Sequence, residues 1–261
     1  MSDSIFSIKD LSFGYEKKTE VIHHISADIE AHKITTLIGP NGCGKTTLFG
    51  LLSKTFKPWY GEISFDGKPL PTYEKKGFAK RISVVHQYNT VPDDMTVKNL
   101  VALGRTPYHN TLFSHENEED KRIIAEAMEF TNISEFANRQ VKELSGGQMQ
   151  RVWLALALAQ SREVLLLDEI TTYLDIRYQY EILNLIKKLN REFQTTVVMV
   201  LHDINQTMQF SDNTIVMKNG TIVCQGKTEE IISESIIKDT YGIDAKIAEV
   251  GDNKVCLFDT C

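Results

Sequence analysis

The chain has 261 residues, 42% of them hydrophobic, and a formal net charge of −6. This length is enough for a buried core and predicts one large domain or two small ones. Because general nucleic-acid binders are usually basic, the acidic balance disfavours DNA or RNA as a partner. The four cysteines have no metal-ligand spacing, which indicates reduced thiols: Cys43, Cys224, Cys256 and Cys261.

The N-terminus, "MSDSIFSIKD", has no basic region followed by an apolar core, so we expect no signal peptide. No apolar run approaches the roughly 20 residues that a membrane-spanning helix needs. We therefore expect a soluble chain. If it works at a membrane, another chain must supply the membrane spans.

The first third of the chain is predicted to be rich in β-strands. Short strand patterns occur in "IFSIKDLSFGY" and "VIHHISADIE", and Asp66-Gly67 gives a turn signal within "GEISFDGKPL". The apolar segment "KITTLIG" predicts a strand that runs directly into a glycine-rich loop, with a helix after it.

The middle of the chain is predicted to be helical. "DMTVKNLVALG" and "HENEEDKRIIAEAMEF" have helical spacing, and the second begins with acidic residues. The segment after Ser145 is apolar nearly all round, as a buried helix would be. We predict a helical subdomain at about 92–140, inserted into a β/α core at about 1–91 and 141–261, so that all 261 residues form one domain.

The last third returns to alternating strands and helices. "EVLLLDE" and "TTVVMVLHD" are apolar strands on either side of the amphipathic segment "RYQYEILNLIKKLNREF". This alternation predicts a parallel sheet that is covered on both faces. Asn219-Gly220 predicts a hairpin turn, and helices within "EEIISESIIKDTYG" and a final hairpin are expected after it.

One motif predicts a phosphate-binding loop. Gly39, Gly44, Lys45 and Thr46 fit the pattern G-x-x-x-x-G-K-[ST], with a strand before it and a helix after it. The glycines let backbone amides surround phosphate oxygens, the lysine would reach the β and γ phosphates, and the threonine hydroxyl would bind Mg²⁺. The candidate nucleotide-binding residues of this phosphate loop are Gly39, Pro40, Asn41, Gly42, Cys43, Gly44, Lys45, Thr46 and Thr47.

Three further strands are predicted to end in polar side chains. Asp168 and Glu169 follow "VLLL", at the carboxyl end where open α/β sheets bind ligands. We predict that Asp168 holds Mg²⁺ through water and that Glu169 polarises an attacking water. His202 ends "TTVVMVL" at the same edge as the phosphate loop, and Gln87 ends "RISVVHQ", from where it could reach the same Mg²⁺ or water.

A second anion-binding feature occurs in "KELSGGQMQRVWLALALAQ", residues 142–160. Two adjacent glycines follow Ser145 and open an apolar helix. The N-terminus of a helix built in this way is suited to bind an anion. The chain therefore contains two predicted phosphate-binding features about a hundred positions apart.

Together these motifs resemble the ABC-type ATPases, and the resemblance covers essentially the whole chain. Leu144–Gln148, "LSGGQ", matches the family signature; Gly39–Thr46 matches its Walker A loop and Leu165–Glu169 its Walker B strand. The other matches follow in the family's order: Gln87 at the Q-loop, Tyr173–Asp175 at the D-loop, His202 at the switch histidine, and Tyr15 where the family stacks an aromatic ring on adenine. The resemblance implies an α/β fold, a P-loop NTPase core of ABC ATPase type with an antiparallel β subdomain and a helical subdomain.

The resemblance also implies why the chain carries two phosphate-binding features. In this family two copies meet head to tail, and the signature residues of one cover the γ-phosphate held by the phosphate loop of the other. ATP and Mg²⁺ are the implied cofactors. The implied roles are the signature contact for Ser145, Gly146, Gly147 and Gln148, the general base for Glu169, γ-phosphate sensing for His202 and Gln87, and a link between the two sites for Asp175. Ile170 replaces the family's usual proline, with a small expected effect on loop stiffness.

A softer similarity indicates the kind of ABC protein. "NLVALGRTPYHN" resembles importers of iron-siderophore complexes, haem or vitamin B12. The resemblance implies a homodimeric ATPase subunit, peripheral on the cytoplasmic face of the membrane. Its implied partners are integral membrane permease subunits and, through them, an extracellular or periplasmic substrate-binding protein, with no nucleic acid.

Two alternatives to the importer remain open. The first is a soluble ABC ATPase that drives assembly, such as iron-sulfur cluster assembly. The second is a nucleotide-binding module without turnover, which the intact Glu169 and His202 disfavour. We also predict that Arg105, Pro107 and Tyr108 form a surface that receives a short permease helix. The alternative for this segment is an ordinary turn that ends a helix.

Overall fold

The computed structural model of the protein describes residues 4–16, 19–86, 94–109, 117–251 and 253–258. Within these ranges the strands are β1 (Ser4–Phe13), β2 (Ile22–Glu30), β3 (Ile34–Ile38), β4 (Tyr60–Phe65), β5 (Lys68–Pro69), β6 (Ile82–Val85), β7 (Val164–Leu167), β8 (Thr196–Val200), β9 (Asn213–Lys218), β10 (Thr221–Lys227), β11 (Ala245–Val250) and β12 (Asn253–Phe258). The helices are α1 (Lys45–Leu52), α2 (Lys75–Ala79), α3 (Val97–Ala102), α4 (Glu118–Phe130), α5 (Gly146–Gln160), α6 (Ile176–Phe193), α7 (Ile204–Phe210), α8 (Thr228–Ile231) and α9 (Glu234–Tyr241). Among the helices so described, none has the length and apolar character needed to cross a membrane.

The chain divides into two compact units. The first unit consists of Met1–Thr72 and Thr196–Cys261, and the second of Tyr73–Thr195. Each unit therefore has its own internal contacts, and each carries part of the predicted site.

An antiparallel sheet forms one part of the first unit, with strand order β2-β1-β4-β5. The predicted turn between β4 and β5 is confirmed, because Phe65 pairs with Lys68 across it. Asp66 and Gly67 both have positive φ, 48° and 70°. Asp and Gly tolerate this left-handed backbone better than most residues, which is why the pair predicted a turn.

A parallel arrangement forms the other part of the first unit. β3 lies between β8 and β9 and is parallel to both. Every residue of β3 and β8 is buried, as expected for strands covered on both faces. β10 pairs antiparallel with β9, and the predicted turn is confirmed, with Asn219 and Gly220 at φ values of 49° and 76°. A two-residue hairpin turn of this type needs two positive φ angles.

The predicted final hairpin is also confirmed as β11 and β12, and it packs onto the first unit. Ala245 and Cys256 join a buried apolar cluster that includes Ile38, the last residue of β3. The Asn205 side chain on α7 donates to the Cys256 carbonyl at 3.1 Å and accepts from the Cys256 N–H at 2.7 Å. These two hydrogen bonds attach the hairpin to the helix that follows His202.

The second unit combines a parallel strand pair with helices. β6 and β7 run parallel, from Ile82 opposite Val164 to Val85 opposite Leu167. The predicted helices of this unit are confirmed as α3, α4, α5 and α6. The buried face of α6 matches the apolar spacing of the sequence and consists of Ile182, Leu183, Leu185, Ile186 and Leu189.

The predicted surface role of Arg105 is wrong, because the second unit buries this residue. Only 6% of Arg105 is exposed. Its Nε donates to Asp120 Oδ1 at 2.8 Å and its Nη1 donates to the Ala159 carbonyl at 2.8 Å. The guanidinium carbon lies 3.7 Å from the centre of the Tyr108 ring. A buried arginine held on three sides is not available to anchor a partner helix.

The segment around Tyr108 lies at one edge of the β6–β7 strand pair, opposite the edge at which Asp168 and Glu169 follow β7. The Tyr108 hydroxyl donates to the carbonyls of Gln160, at 2.9 Å, and Lys80, at 3.3 Å. These two residues precede β7 and β6, so they lie at the N-terminal edge of the strand pair. Asp168 follows β7 at the other edge. The contacts of Arg105 and Tyr108 therefore favour the alternative, a structural turn.

We predict that Arg105→Ala destabilises the protein by about 3 kcal/mol, because the buried Asp120 carboxylate loses its guanidinium partner and keeps the His109 ring, whose Nε2 lies 3.2 Å from Oδ2. Burial alone would raise the pKa of Asp120, but hydrogen bonds from Arg105 and the Asn117 backbone lower it. Because the pKa of Asp120 is lowered in the folded state, this stabilisation should be fully present above the ordinary pKa of aspartate and be lost as the pH falls from there through the lowered pKa. Urea unfolding measures the effect.

Arg122→Ala is the matched control for this stability prediction. Its side chain is 64% exposed and pairs with Glu126 at 2.7 Å. An exposed pair of this kind contributes at most about 1 kcal/mol. If Arg105→Ala unfolds at the same urea concentration as the wild type but blocks function in cells, the surface interpretation is restored.

Candidate functional site

The phosphate loop lies between β3 and α1 and depends on glycines. Gly39, Gly42 and Gly44 have φ values of 147°, 77° and 102°, which L-residues rarely adopt. A side chain at Gly39 would also place its Cβ 2.1 Å from the Met217 carbonyl oxygen on β9. The loop can therefore take this path only with glycine at that position.

The Lys45 side chain closes over the phosphate loop. The residue is 5% exposed, and its Nζ donates to the carbonyls of Gly39 at 2.8 Å and Pro40 at 3.0 Å. The Lys45 ammonium group is therefore held at the loop by two backbone carbonyls. The first backbone N–H groups of α1 have no acceptor within the helix and are suited to bind an anion.

Cys43 is buried within the same loop. Burial raises the pKa of its thiol, which keeps it protonated at neutral pH. A protonated, buried thiol is a poor nucleophile, so we interpret Cys43 as a packing residue of the loop. Within the described part of the chain, Cys43, Cys224 and Cys256 are free thiols, and Cys261 lies outside it.

Tyr15 presents an exposed aromatic ring beside the start of α1. The residue is 59% exposed, and its hydroxyl lies 2.8 Å from the Thr47 hydroxyl. Phe13 and Phe56 pack edge-on against it, with centroid distances of 5.4 and 5.3 Å. The ring is fixed yet accessible, which is what stacking on a planar base requires.

Tyr241 contacts the phosphate loop and was not found from the sequence. It is the last residue of α9 and packs against the cluster that contains Ile38. Burial raises the pKa of Tyr241 to about 12, against the opposing effect of a hydrogen bond from the Gly39 backbone. No local pattern connects residues 200 positions apart, so only the fold reveals this contact.

His202 is placed at the same sheet edge as the phosphate loop. It follows β8 after Leu201, and β8 is the parallel neighbour of β3, with Val200 opposite Leu37. Both strands therefore deliver the residues after them to their carboxyl edge. The His202 side chain is exposed there, and the next residue, Asp203, caps α7 by accepting from the Gln206 N–H at 2.9 Å.

In the second unit, Asp168 and Glu169 follow β7. Asp168 is 4% exposed, and its N–H donates to the Val85 carbonyl at 2.9 Å, at the carboxyl edge of the β6–β7 pair. Glu169 has a φ of 53°, a strained conformation for a residue with a side chain. Its Oε2 accepts from the Thr172 hydroxyl at 3.3 Å. Strain of this kind is often found at functional sites. Ile170, in place of the family's proline, is buried.

The signature segment opens α5 with a capping box. The Gln148 N–H donates to Ser145 Oγ at 3.3 Å, and the Ser145 N–H donates to Gln148 Oε1 at 3.0 Å. Ser145 and Gly146 are exposed, whereas Gly147 is buried. The N–H groups of the two glycines belong to the first turn, where no intrahelical acceptor exists. They form an accessible helix N-terminus suited to an anion.

Asp175 caps α6, because its Oδ1 accepts from the Tyr178 N–H at 3.1 Å. Two large apolar residues beside it are highly exposed, Tyr173 at 82% and Ile176 at 75%.

The remaining predicted site residue, Gln87, lies outside the described residues. The first unit thus holds the phosphate loop, Tyr15 and His202, and the second holds the signature segment, Asp168, Glu169 and Asp175.

Comparisons with known proteins agree on one family. A family model described as ABC transporter matches residues 22–172. The iron(3+)-hydroxamate import ATP-binding protein FhuC of Bacillus subtilis (strain 168) is 42% identical over 253 residues, which cover 96% of this chain and 93% of that protein. The ferric enterobactin transport ATP-binding protein FepC of Escherichia coli (strain K12) is 40% identical over 251 residues, covering 95% and 92%.

A solved structure supports the same comparison. It is an ABC transporter in an inward-facing conformation, described as being of the metal-chelate type. The TM-score is 0.84 at 26% identity, and the match covers 98% of this chain and 97% of that chain. The similarity therefore extends over the whole fold.

Proposed function

This chain belongs to the ABC transporter family, and we propose that it is the ATP-hydrolysing subunit that powers an importer of iron chelates. The α/β fold class of ABC ATPase type that was expected from the sequence is confirmed. The observation that carries the proposal is the presence of both phosphate-binding features in a chain whose full-length relatives are named for iron(3+)-hydroxamate import and ferric enterobactin transport.

We propose the following roles for the site residues. The phosphate loop binds the ATP phosphates through its amides and Lys45, and Tyr15 stacks on adenine. Glu169 acts as the general base on the attacking water, while His202 and Gln87 sense the γ-phosphate. The placement of Glu169 after β7, next to the buried Asp168, and the fixed, exposed Tyr15 support these roles.

Mg²⁺ fits the chemistry of two of these residues. Thr46 supplies an exposed hydroxyl at the start of α1, and Asp168 supplies a carboxylate at the end of β7. Oxygen ligands of these two kinds are the ones that Mg²⁺ prefers. Thr46 and Asp168 would hold the ion, which would supply positive charge that stabilises the negative charge of the reacting phosphates.

A homodimer would complete the site. The Ser145, Gly146 and Gly147 segment of one copy covers the γ-phosphate bound by Lys45 of the other, with Asp175 linking the two sites. The accessible N-terminus of α5 and the exposed residues beside Asp175 support this arrangement. ATP then favours the closed dimer because its phosphates contact both copies, and hydrolysis removes that preference.

ABC importer ATPases work with membrane permeases, and we extend the proposal to this chain's partners. The subunit lies on the cytoplasmic face of the membrane beneath permease subunits, and an extracellular or periplasmic protein delivers the chelate. The alternative, a soluble ABC ATPase for iron-sulfur cluster assembly, has less support, because the relatives reported above are named for import and transport.

Deletion of the gene tests the importer against this alternative. We expect uptake of radiolabelled iron from one class of chelate, hydroxamate, catecholate or haem, to fall to background. Wild-type protein should restore uptake, whereas Lys45→Ala should not. Iron-sulfur enzyme activity should persist in iron-replete medium. Normal uptake of all three classes, with loss of iron-sulfur enzymes, would favour the alternative.

A further inference from the structure

The ring of Tyr178 lies directly on Gly147 of the signature segment. A Cβ added to Gly147 would be 2.6 Å from Tyr178 Cδ1, 2.8 Å from Cγ and 3.1 Å from Cε1. At Gly146, by contrast, an added Cβ would make only ordinary contact, 3.6 Å from Leu174 Cδ2. Gly147 thus allows an aromatic ring to pack against the backbone of the first turn of α5.

The backbone of Tyr178 is bonded to the other element of the proposed dimer surface. Its N–H donates to Asp175 Oδ1 at 3.1 Å, the capping bond of α6. One residue therefore contacts the signature glycine through its ring and the D-loop aspartate through its N–H. Neither contact follows from a motif, because Tyr178 lies outside every motif found in the sequence.

A second connection between the same helices lies one turn further along. Glu181 on α6 accepts from Arg151 Nη2 on α5 at 2.8 Å and from Arg177 Nε at 2.9 Å. Hydrogen bonds from Arg177 and Arg151 lower the pKa of Glu181, so the carboxylate remains charged at neutral pH. The N-terminal turns of α5 and α6 are therefore joined by ring packing and by an ionic bridge.

We propose that Tyr178 is a positioning residue, which fixes the signature segment relative to Asp175 so that both meet the second copy as one rigid surface. The inference rests on the proposed dimeric ATPase function. The amides of Gly146 and Gly147 can stabilise a γ-phosphate only when they are placed accurately, and a displacement of about 1 Å can cost about 100-fold in rate. Packing of the ring on Gly147 holds these amides in place. The hydrogen bond from the Tyr178 N–H to Asp175 fixes them relative to the residue that would link the two sites.

Tyr178→Ala tests the inference by removing the ring while leaving the backbone bond to Asp175. We expect kcat for ATP hydrolysis to fall about tenfold or more, because the γ-phosphate contact is displaced. KM for ATP should stay within about twofold, since the phosphate loop and Tyr15 bind the nucleotide in the same copy. Tyr178→Phe keeps the ring and should restore wild-type kcat.

Tyr180→Ala is the matched control. It removes a side chain of the same type, also half-buried, from the same helix, but two positions along α6 it points about 160° away from Tyr178. We expect its kcat to match the wild type, although its stability falls. If Tyr178→Ala does not fold, Tyr178→Leu retains apolar volume without a planar ring and should show the same selective loss of kcat.

Three results would overturn the inference. They are a wild-type kcat for Tyr178→Ala, an equal loss of kcat in Tyr180→Ala, and a loss in Tyr178→Phe as large as that in Tyr178→Ala. Each would show that ring packing on Gly147 is structural only or that the hydroxyl acts instead. Failure of the proposed function is separate, because it would appear as absent ATP hydrolysis in the wild-type protein.

Discussion

Glu169→Gln is expected to lower ATP turnover by about 10²- to 10⁴-fold, the usual contribution of a general base. Glutamine keeps the size of the side chain and can still accept the hydrogen bond from Thr172, but it cannot take a proton from the attacking water. The phosphate loop is unchanged, so the affinity for ATP should stay close to that of the wild type. A phosphate-release assay and a nucleotide-binding titration measure the two effects separately.

The same variant should trap the dimer. In the proposed dimer, ATP favours the closed state and hydrolysis ends it, so a chain that binds but cannot hydrolyse ATP should accumulate as a dimer with ATP and Mg²⁺. Size-exclusion chromatography measures this. Glu163→Gln is the matched control, since Glu163 pairs with Arg81 before β7, at the opposite end of the strand. Near-normal turnover in Glu169→Gln would remove the general-base assignment.

The strands, turns and phosphate loop could be predicted because their causes are local. β3 and β8 consist of β-branched and apolar residues that are all buried, and Asn219-Gly220 supplies the two positive φ angles of its turn. The phosphate loop was predicted from Gly39 and Gly44, because the spacing of the motif reflects the backbone geometry that the loop needs. In each case the physical requirement is met by residues adjacent in the chain, so a single sequence is sufficient.

Arg105 shows where local reasoning fails. Its partners are Asp120, 15 positions later, and the carbonyl of Ala159, 54 positions later. An arginine and a tyrosine in one turn resemble a surface anchor only while these contacts are unknown. Gly104 could have indicated that this segment packs closely on a neighbouring helix, because a Cβ there would lie 2.4 Å from the Leu156 carbonyl oxygen. A glycine before a charged residue can thus mark close packing against a neighbouring helix.

The candidate site shows the same difference between features with local causes and contacts between residues distant in the chain. Motifs identified the residues that would touch ATP, because their chemical roles restrict residue type and spacing. The residues that hold them, Tyr241 beside Gly39 and Tyr178 on Gly147, follow no motif, because any side chain of suitable shape could pack there. Sequence therefore predicts the reacting groups more readily than the packing that positions them.

The second large effect is expected from Ser145→Arg, which should abolish ATP hydrolysis without preventing ATP binding. The substitution removes the hydroxyl that caps α5 and places a long side chain where the γ-phosphate of the second copy would lie. Because the phosphate loop of the same copy is intact, nucleotide affinity should be unchanged. Ser134→Arg, at an exposed position of the same unit, is the matched control and should remain active.

Mixing experiments then determine whether Ser145 acts across the dimer. Lys45→Ala is also expected to be inactive alone, because its own phosphate loop is damaged. In an equal mixture, half of the dimers combine the two variants, and each of these has one intact composite site and one doubly damaged site. If the sites act independently, activity should return to about a quarter of the wild-type value. The contrary result is a nucleotide-bound dimer, solved by crystallography, in which Ser145 lies far from every γ-phosphate, since such a dimer would assign the N-terminus of α5 to another anion.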